Sequence, residues 1–158
     1  PAETGLDSVR FLMSANVGEA LKPLSKVASG GELARIMLAM KQVLAQQDGV
    51  PTLIFDEVDA GVSGRAAQKV ALKLWAVSKG RQVLCVTHLP QIAAMADAEF
   101  TVEKRVEHER TYTSVLHLDD SGRRQELARL IGGSMITETT LAGAAELLRL
   151  ADEAKRGI

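Results

Sequence analysis

Residues 52–57 read TLIFDE, a short apolar run that ends abruptly in two acids, Asp56 and Glu57. Such a run is typical of a buried parallel strand with polar groups at its carboxyl end. Residues 83–88 repeat the pattern, because the apolar run VLCV is followed by a threonine and His88. Ligands bind beyond the carboxyl ends of parallel strands, so we expect Asp56, Glu57 and His88 to share one edge of a sheet.

Helical patterns alternate with these two strands. Apolar residues recur at three- and four-residue spacing from Gly30 to Gln47, and again from Ser63 to a stop at Gly80. The other predicted elements are a strand over 9–13, a short helix over 89–95, strands over 99–106 and 111–118, a turn at 120–122, and helices over 124–131 and 139–155. The alternation of strand and helix predicts an α/β fold with a mainly parallel sheet flanked by helices.

The composition excludes several classes of protein. The 158 residues are 46% hydrophobic and 25% charged with a net charge of -1, the proportions of a folded domain without a general basic surface for nucleic acid. The single cysteine, Cys85, permits no intrachain disulfide and no cysteine-rich zinc site, and its place in a buried strand predicts an inert thiol. The longest apolar runs are far short of the roughly 20 residues that span a bilayer, so no membrane partner is expected.

The helix that begins near residue 30 follows the sequence Ser29-Gly30-Gly31-Glu32. One interpretation is a capping box, in which Ser29 caps the helix and Glu32 bonds back to it. However, each glycine weakens a helix start by roughly 1 kcal/mol relative to alanine. A second interpretation is an anion site, because glycines let a phosphate approach the first-turn N–H groups and the helix dipole favours negative charge there.

Asp56 and Glu57 fit the Walker B pattern, an apolar strand that delivers an acid pair. Asp56 would hold Mg²⁺, Glu57 would polarise the water that attacks a γ-phosphate, and neutral His88 could contact that phosphate or water. A strand end with two solvated acids is the alternative. In the loop 58–64, Asp59 could bond across an interface, although the loop taken alone favours a plain turn capped by Ser63.

These motifs occur in an order that resembles the C-terminal half of an ABC-type ATPase head, in the SMC-like branch that acts in bacterial DNA repair. The resemblance is carried by residues 22–35, 55–64 and 86–97 and extends from about Val9 to Leu148. The signature motif departs from its usual form where Ala28 replaces leucine and Glu32 replaces glutamine, and both changes look normal for the SMC-like branch.

The resemblance implies a role for each site residue. Ser29, Gly30, Gly31 and Glu32 would belong to the signature motif, which contacts the γ-phosphate of ATP bound to the opposite head. The Walker B pair would be Asp56 and Glu57, with Asp56 as the Mg²⁺ ligand. Asp59 would lie in the D-loop, and His88 would be the switch histidine. The family binds and bridges DNA in double-strand break repair. The resemblance therefore implies DNA as a partner and a place in the cytoplasm at the bacterial nucleoid. The ATPase motifs imply ATP and Mg²⁺ as cofactors.

Two features of such proteins are missing from the sequence. No G-x-x-x-x-G-K-[ST] phosphate loop occurs, and no heptad run is sustained. We therefore expect residues 1–158 to form the C-terminal lobe of a head and to be inactive alone. The expected partners are the Walker A half of the head, a second head in a homodimer, and DNA. The sequence does not show which surface meets DNA. A solvated surface charge is the favoured interpretation of each candidate contact, namely Lys22, Lys26, Lys104, Arg105, Arg123 and Arg124.

Three other functions compete with this hypothesis. Residues 56–59 fit the D-E-x-D box of a helicase, but no Ser-Ala-Thr motif follows. A DNA-tethering scaffold would use ATP only to clamp two heads together, and its hydrolysis would not depend on Glu57. A metal site of Asp56, Glu57, Asp59 and His88 would leave the signature helix unexplained.

Overall fold

A computed structural model of the chain describes residues 5–7, 9–14, 17–27, 29–44, 47, 49–108 and 110–157. Six strands and six helices lie in these ranges. The strands are β1 (Leu12–Met13), β2 (Lys22–Pro23), β3 (Thr52–Phe55), β4 (Gln82–Cys85), β5 (Phe100–Glu107) and β6 (Arg110–His117). The helices are α1 (Leu24–Val27), α2 (Gly30–Val43), α3 (Gly64–Ser78), α4 (Pro90–Ala93), α5 (Asp120–Gly132) and α6 (Glu138–Arg156).

Strands β3 and β4 form the parallel pair that the apolar runs predict. Leu53 lies opposite Val83 and Phe55 opposite Cys85, and α3 makes the crossover between the strands. The side chains of Leu53 and Phe55 point to a buried face, whereas Ile54 between them is 71% exposed. Because alternate strand residues face opposite sides, the helices cover only one face of this pair within the described chain.

The prediction of a mainly parallel sheet is wrong for the described part of the chain. Strands β1 and β2 pair antiparallel, and so do β5 and β6. The physical reason lies in the connections, since β5 and β6 are joined by a tight turn around His108, whose φ is 50°. A tight turn permits only antiparallel pairing, whereas a parallel pair needs a long crossover. The architecture is therefore mixed α/β with one short parallel pair.

The hydrophobic core extends from the covered face of β3 and β4 into the helices. Val58, just after β3, and Leu127 in α5 are both fully buried. Alanines line the inner sides of α3, α5 and α6, where Ala71, Ala128 and Ala144 are buried in the same cluster. The small side chains of α5 and α6 let these two helices pack closely against each other.

The start of α5 differs from the sequence prediction. Residues 120–122, predicted as a turn, form the first turn of α5, because the Asp119 side chain caps the helix and its Oδ1 accepts a 2.7 Å hydrogen bond from the Gly122 N–H. Helix α2 ends at Val43, earlier than predicted. Of the strand predicted over 9–13, only Leu12–Met13 is a strand.

No helix in the described ranges has both the length and the apolar character that crossing a bilayer requires.

Gly31 is required by a close contact between α2 and the segment after β3. A Cβ atom there would lie 2.8 Å from the Ala60 Cβ, 2.9 Å from the Glu57 carbonyl oxygen and 3.0 Å from the Ala60 carbonyl oxygen. We expect Gly31→Ala to lower the free energy of unfolding by about 1–3 kcal/mol, the usual cost of overpacking against backbone. Urea denaturation measures this change.

Gly143 in α6 supplies the matched control. A Cβ atom there meets only the Ile131 Cδ1, at an ordinary 3.9 Å. Gly143→Ala should raise stability by about 0.5–1 kcal/mol through helix propensity. Equal stability of Gly31→Ala and the parent would contradict the close contact.

Candidate functional site

A cleft of about 530 Å³ lies between the N-terminus of α2, the segment after β3 and the end of β4. Every sequence-predicted site residue except Glu32 lines it: Ser29, Gly30, Gly31, Asp56, Glu57, Asp59 and His88. An apolar groove of about 360 Å³ shares Gly30 and Asp56 with the cleft and continues along α2 and β3. The structure therefore brings the separate sequence motifs to one place.

The N-terminus of α2 forms the capping box. The Ser29 N–H donates to Glu32 Oε2 at 2.9 Å, and the Glu32 N–H donates to Ser29 Oγ at 3.4 Å. The bond from the Ser29 backbone is the main cause of the lowered pKa of Glu32, and the Ser29 hydroxyl adds to it. Glu32 is therefore a carboxylate that holds Ser29, rather than a side chain that lines the cleft. Ala28, the other unusual residue of the signature, lies outside the described residues.

Glu57 has an unusual backbone conformation. Its φ of 56° is left-handed, which costs a residue other than glycine about 1–3 kcal/mol and persists only where its surroundings enforce it. The Glu57 N–H donates to Asp56 Oδ1 at 2.9 Å, and its carbonyl oxygen accepts from the Ala60 N–H at 3.0 Å. Its carboxylate lies against Gly30, where an added Cβ would be 2.5 Å from Oε2. The positive end of the α2 dipole favours a negative charge at that position.

Asp59 connects the ends of the two parallel strands. The residue is only 4% exposed, and its Oδ2 accepts hydrogen bonds from Thr87 Oγ1 at 2.7 Å and from the His88 N–H at 3.0 Å. Burial by itself raises the pKa of Asp59, but these bonds outweigh burial and the pKa lies below its ordinary value. The carboxylate thus bonds within the chain and joins the segments that follow the two strands.

His88 stands at the open side of this arrangement. Its side chain is 73% exposed, and its Nδ1 lies 3.0 Å from Asp59 Oδ2. The Asp59 carboxylate therefore faces one ring nitrogen, and the other, Nε2, is left for a ligand. Thr87, which shares Asp59 with His88, was missed by the sequence reasoning. Its position at the end of a buried strand, next to His88, was the available signal.

Two further sequence predictions, for Cys85 and for Arg123, can be compared with the structure. Burial, with smaller effects from the charges of Asp59 and Asp56, raises the pKa of the Cys85 thiol to about 12, as expected of an inert thiol, although the residue is only half-buried.

Arg123 is not a free surface cation, because it donates to the Ala96 carbonyl oxygen at 2.8 Å and to Glu99 at 3.3 Å. It fastens α5 to the loop before β5, which removes it from the candidate DNA contacts.

The acids of the cleft do not form a metal cluster. Within the residues that the structure describes, no group of three or more histidine, cysteine, aspartate and glutamate side chains could hold a metal ion. The metal-site hypothesis therefore lacks support. An exposed single carboxylate such as Asp56 does suit Mg²⁺, which keeps several waters and binds one or two carboxylates together with substrate phosphates.

Known proteins with similar sequences share one description. The chain is 52% identical over 153 residues to the DNA repair protein RecN of Bacillus subtilis, and 51% identical over 153 residues to that of Treponema pallidum. RecN of Deinococcus radiodurans is 50% identical over 148 residues. The chain belongs to the RecN family. Each match covers at least 94% of this chain but only 26–27% of the RecN relative, so the chain spans about a quarter of the length of these relatives.

One solved structure has a fold similar to that of this RecN segment. It comes from work on ATP-driven dimerization and DNA-stimulated activation of SMC ATPases, and it matches with a TM-score of 0.53 at 24% identity. The match covers 75% of this chain and 70% of the other. The likeness concerns the fold alone. No family model matches the chain.

Thr87→Val tests the Asp59 network in this RecN segment. The change removes the hydroxyl that donates to Asp59 and should cost about 1–3 kcal/mol of stability at neutral pH. Because the folded pKa of Asp59 is depressed, the stability from its bonds is present above the unfolded pKa of about 4 and is lost as the pH falls through the folded value. The difference between parent and variant should therefore shrink below about pH 4.

Chemical denaturation at a series of pH values measures this difference. Thr113→Val, at an exposed position of β6, is the matched control and should change stability little at any pH. A Thr87→Val penalty that stays constant down to strongly acidic pH would show that Asp59 is not the partner that matters.

Proposed function

We propose that this chain is the C-terminal lobe, residues 1–158, of the ATP-hydrolysing head of an SMC-like DNA repair protein. The observation that carries the proposal is the convergence of the α2 N-terminus, the acids after β3 and His88 on one cleft. A helix N-terminus with glycines, and a strand-end acid pair with a histidine, are each suited to the phosphates of a nucleoside triphosphate. The membership in the RecN family supports the assignment to DNA repair.

In this proposal the N-terminus of α2 contacts the γ-phosphate of ATP that is held by a second head. Ser29 supplies a hydroxyl, and Gly30 and Gly31 allow a phosphate to come close to the backbone. Glu32 keeps Ser29 in place through the capping box. The second head would be another copy of the same protein, so that each of two ATP molecules lies between two heads.

The acids after β3 divide the chemistry between them. Asp56 would hold Mg²⁺, which, when bound, neutralises charge on the phosphates. Glu57 would orient the attacking water and accept its proton as the water oxygen bonds to the γ-phosphorus and the bond to ADP breaks. His88 would contact the water or the γ-phosphate through Nε2, with Asp59 holding the ring.

The remaining parts of the ATPase head would come from polypeptide outside this sequence. A phosphate loop, which the chain lacks, would come from the Walker A half of the head, and DNA would be engaged by the complete protein at the bacterial nucleoid. Lys22, Lys26, Lys104 and Arg124 are exposed and stay candidates for DNA contact, whereas Arg105 pairs with Glu103 at 3.1 Å.

Glu57→Gln should separate ATP binding from hydrolysis in a complete RecN that carries this segment. The amide can still orient water but cannot accept a proton, so turnover should fall by about 10²–10⁴-fold while Mg-ATP binding and dimerisation persist. Asp56→Asn should also weaken the closed dimer, because it weakens the Mg²⁺ site. Phosphate release measures turnover, and light scattering with ATP measures dimerisation.

Glu138→Gln, at an exposed position on α6, is the matched control and should hydrolyse ATP at the parent rate. If Glu57→Gln also hydrolyses at the parent rate, Glu57 is not the base, and a scaffold that uses ATP only to clamp two heads becomes the better account.

Ser29→Arg tests whether the α2 N-terminus acts on the other head. A bulky cation there should leave ATP binding nearly intact but abolish ATP-driven dimerisation, since it blocks closure onto the second head. Nucleotide titration and light scattering measure the two effects, with Ser121→Arg, on an exposed turn of α5, as the control that keeps both. Loss of nucleotide affinity in Ser29→Arg would instead mean that Ser29 contacts ATP of its own head.

A further inference from the structure

The turn formed by residues 57–60 is held from the α2 side by one side chain, Arg35. Its Nη1 donates to the Ala60 carbonyl oxygen at 2.7 Å and to the Val58 carbonyl oxygen at 3.2 Å. Arg35 is half-buried and lies in the second turn of α2, after the glycines that face the cleft. One guanidinium nitrogen therefore joins α2 to two successive points of the turn that begins at Glu57.

The turn is also fixed on its other sides. The Val58 side chain is fully buried in the core, and the Asp59 carboxylate is bonded to the end of β4. The Ala60 N–H closes the turn on the Glu57 carbonyl oxygen. Glu57 itself is the exception, because its side chain is exposed and its backbone is left-handed. Its strained conformation must be enforced by the residues that follow it.

Arg35 is suited to that task. The two carbonyl groups that it binds belong to the residues one and three positions after Glu57, so a shift of either would rotate the peptide that carries the Glu57 side chain. Hydrogen bonds from a charged donor are stronger than those between neutral groups. The planar guanidinium is also pre-organised, so fewer rotamers are lost per bond than with a lysine.

We infer that Arg35 is a positioning residue for hydrolysis: it holds the 57–60 turn against α2 and so fixes the backbone that carries the Glu57 carboxylate. This inference rests on the proposed role of Glu57. A movement of α2 would therefore also displace Glu57, the proposed general base, because Arg35 connects the helix to the turn. Arg35 itself touches neither nucleotide nor water in this account.

A double-mutant cycle in a complete RecN that carries this segment tests the inference. Arg35→Met should lower kcat by about 10- to 100-fold, the effect of a misplacement near 1 Å, with KM for ATP nearly unchanged. If Arg35 acts through Glu57, Arg35→Met should cause little further loss in a Glu57→Gln background, because the base is already absent. Arg156→Met, an exposed arginine at the end of α6, is the matched control with parent kcat.

The outcomes separate this inference from the function on which it rests. If Glu57→Gln keeps the parent kcat, the proposed function fails. If Glu57→Gln is impaired but Arg35→Met is not, only the positioning role fails. The positioning role would also be overturned if Arg35→Met lowered kcat by the same factor in the parent and in the Glu57→Gln background. Such additivity would mean that Arg35 affects kcat independently of Glu57.

A conservative variant guards against misfolding of Arg35→Met. Arg35→Lys keeps the charge and can reach part of the same site, so its kcat should lie between those of the parent and Arg35→Met. If Arg35→Met does not fold, the same cycle is run with Arg35→Lys, and additive loss in that cycle overturns the inference. The parent affinity for Mg-ATP, measured by titration, confirms that each variant is folded.

Discussion

The buried carboxylate of Asp59 is the constraint on which the site depends. A charge that is only 4% exposed requires hydrogen bonds, and Asp59 obtains them from Thr87 and the His88 backbone at the end of the neighbouring strand. The bonds fasten the segment after β3 to the segment after β4. Because His88 shares the same oxygen, its ring is oriented by the contact that stabilises the fold. Folding and site geometry are therefore linked through one side chain.

Sequence patterns predicted the elements whose signals are local, and missed what depends on tertiary contact. The apolar run 52–55 is a strand as predicted, because burial on a sheet needs a short apolar segment whatever lies around it. The mainly parallel sheet was wrong, because pairing depends on connections such as the tight turn at His108. Likewise, no spacing rule brings Asp59 to Thr87 or Arg35 to Ala60, residues that lie 28 and 25 positions apart.

The two interpretations of Ser29 are compatible in the structure. The capping box is formed, so the hydroxyl already has a partner in Glu32, and the same serine lies at the mouth of the cleft. Two glycines that weaken a helix start are explained by contact: Gly31 lets the backbone of residues 57–60 come close, and Gly30 leaves room for the Glu57 carboxylate. Packing within the chain therefore accounts for the two glycines of the 29–32 motif, which the sequence also allowed to be explained by a bound phosphate.

The proposed site places each ATP between Glu57 of one head and Ser29 of another, and a mixture of two impaired variants is the sharpest test of this arrangement. In a two-fold dimer of Ser29→Ala with Glu57→Gln, one site would carry both lesions and the other would carry neither. Ser29→Ala is chosen because it removes the hydroxyl without the bulk that would block closure. We predict that the mixed proteins, in a complete RecN background, hydrolyse ATP faster than either impaired variant alone. A mixture that is no faster than its components, with mixed dimers shown to form, would contradict this arrangement.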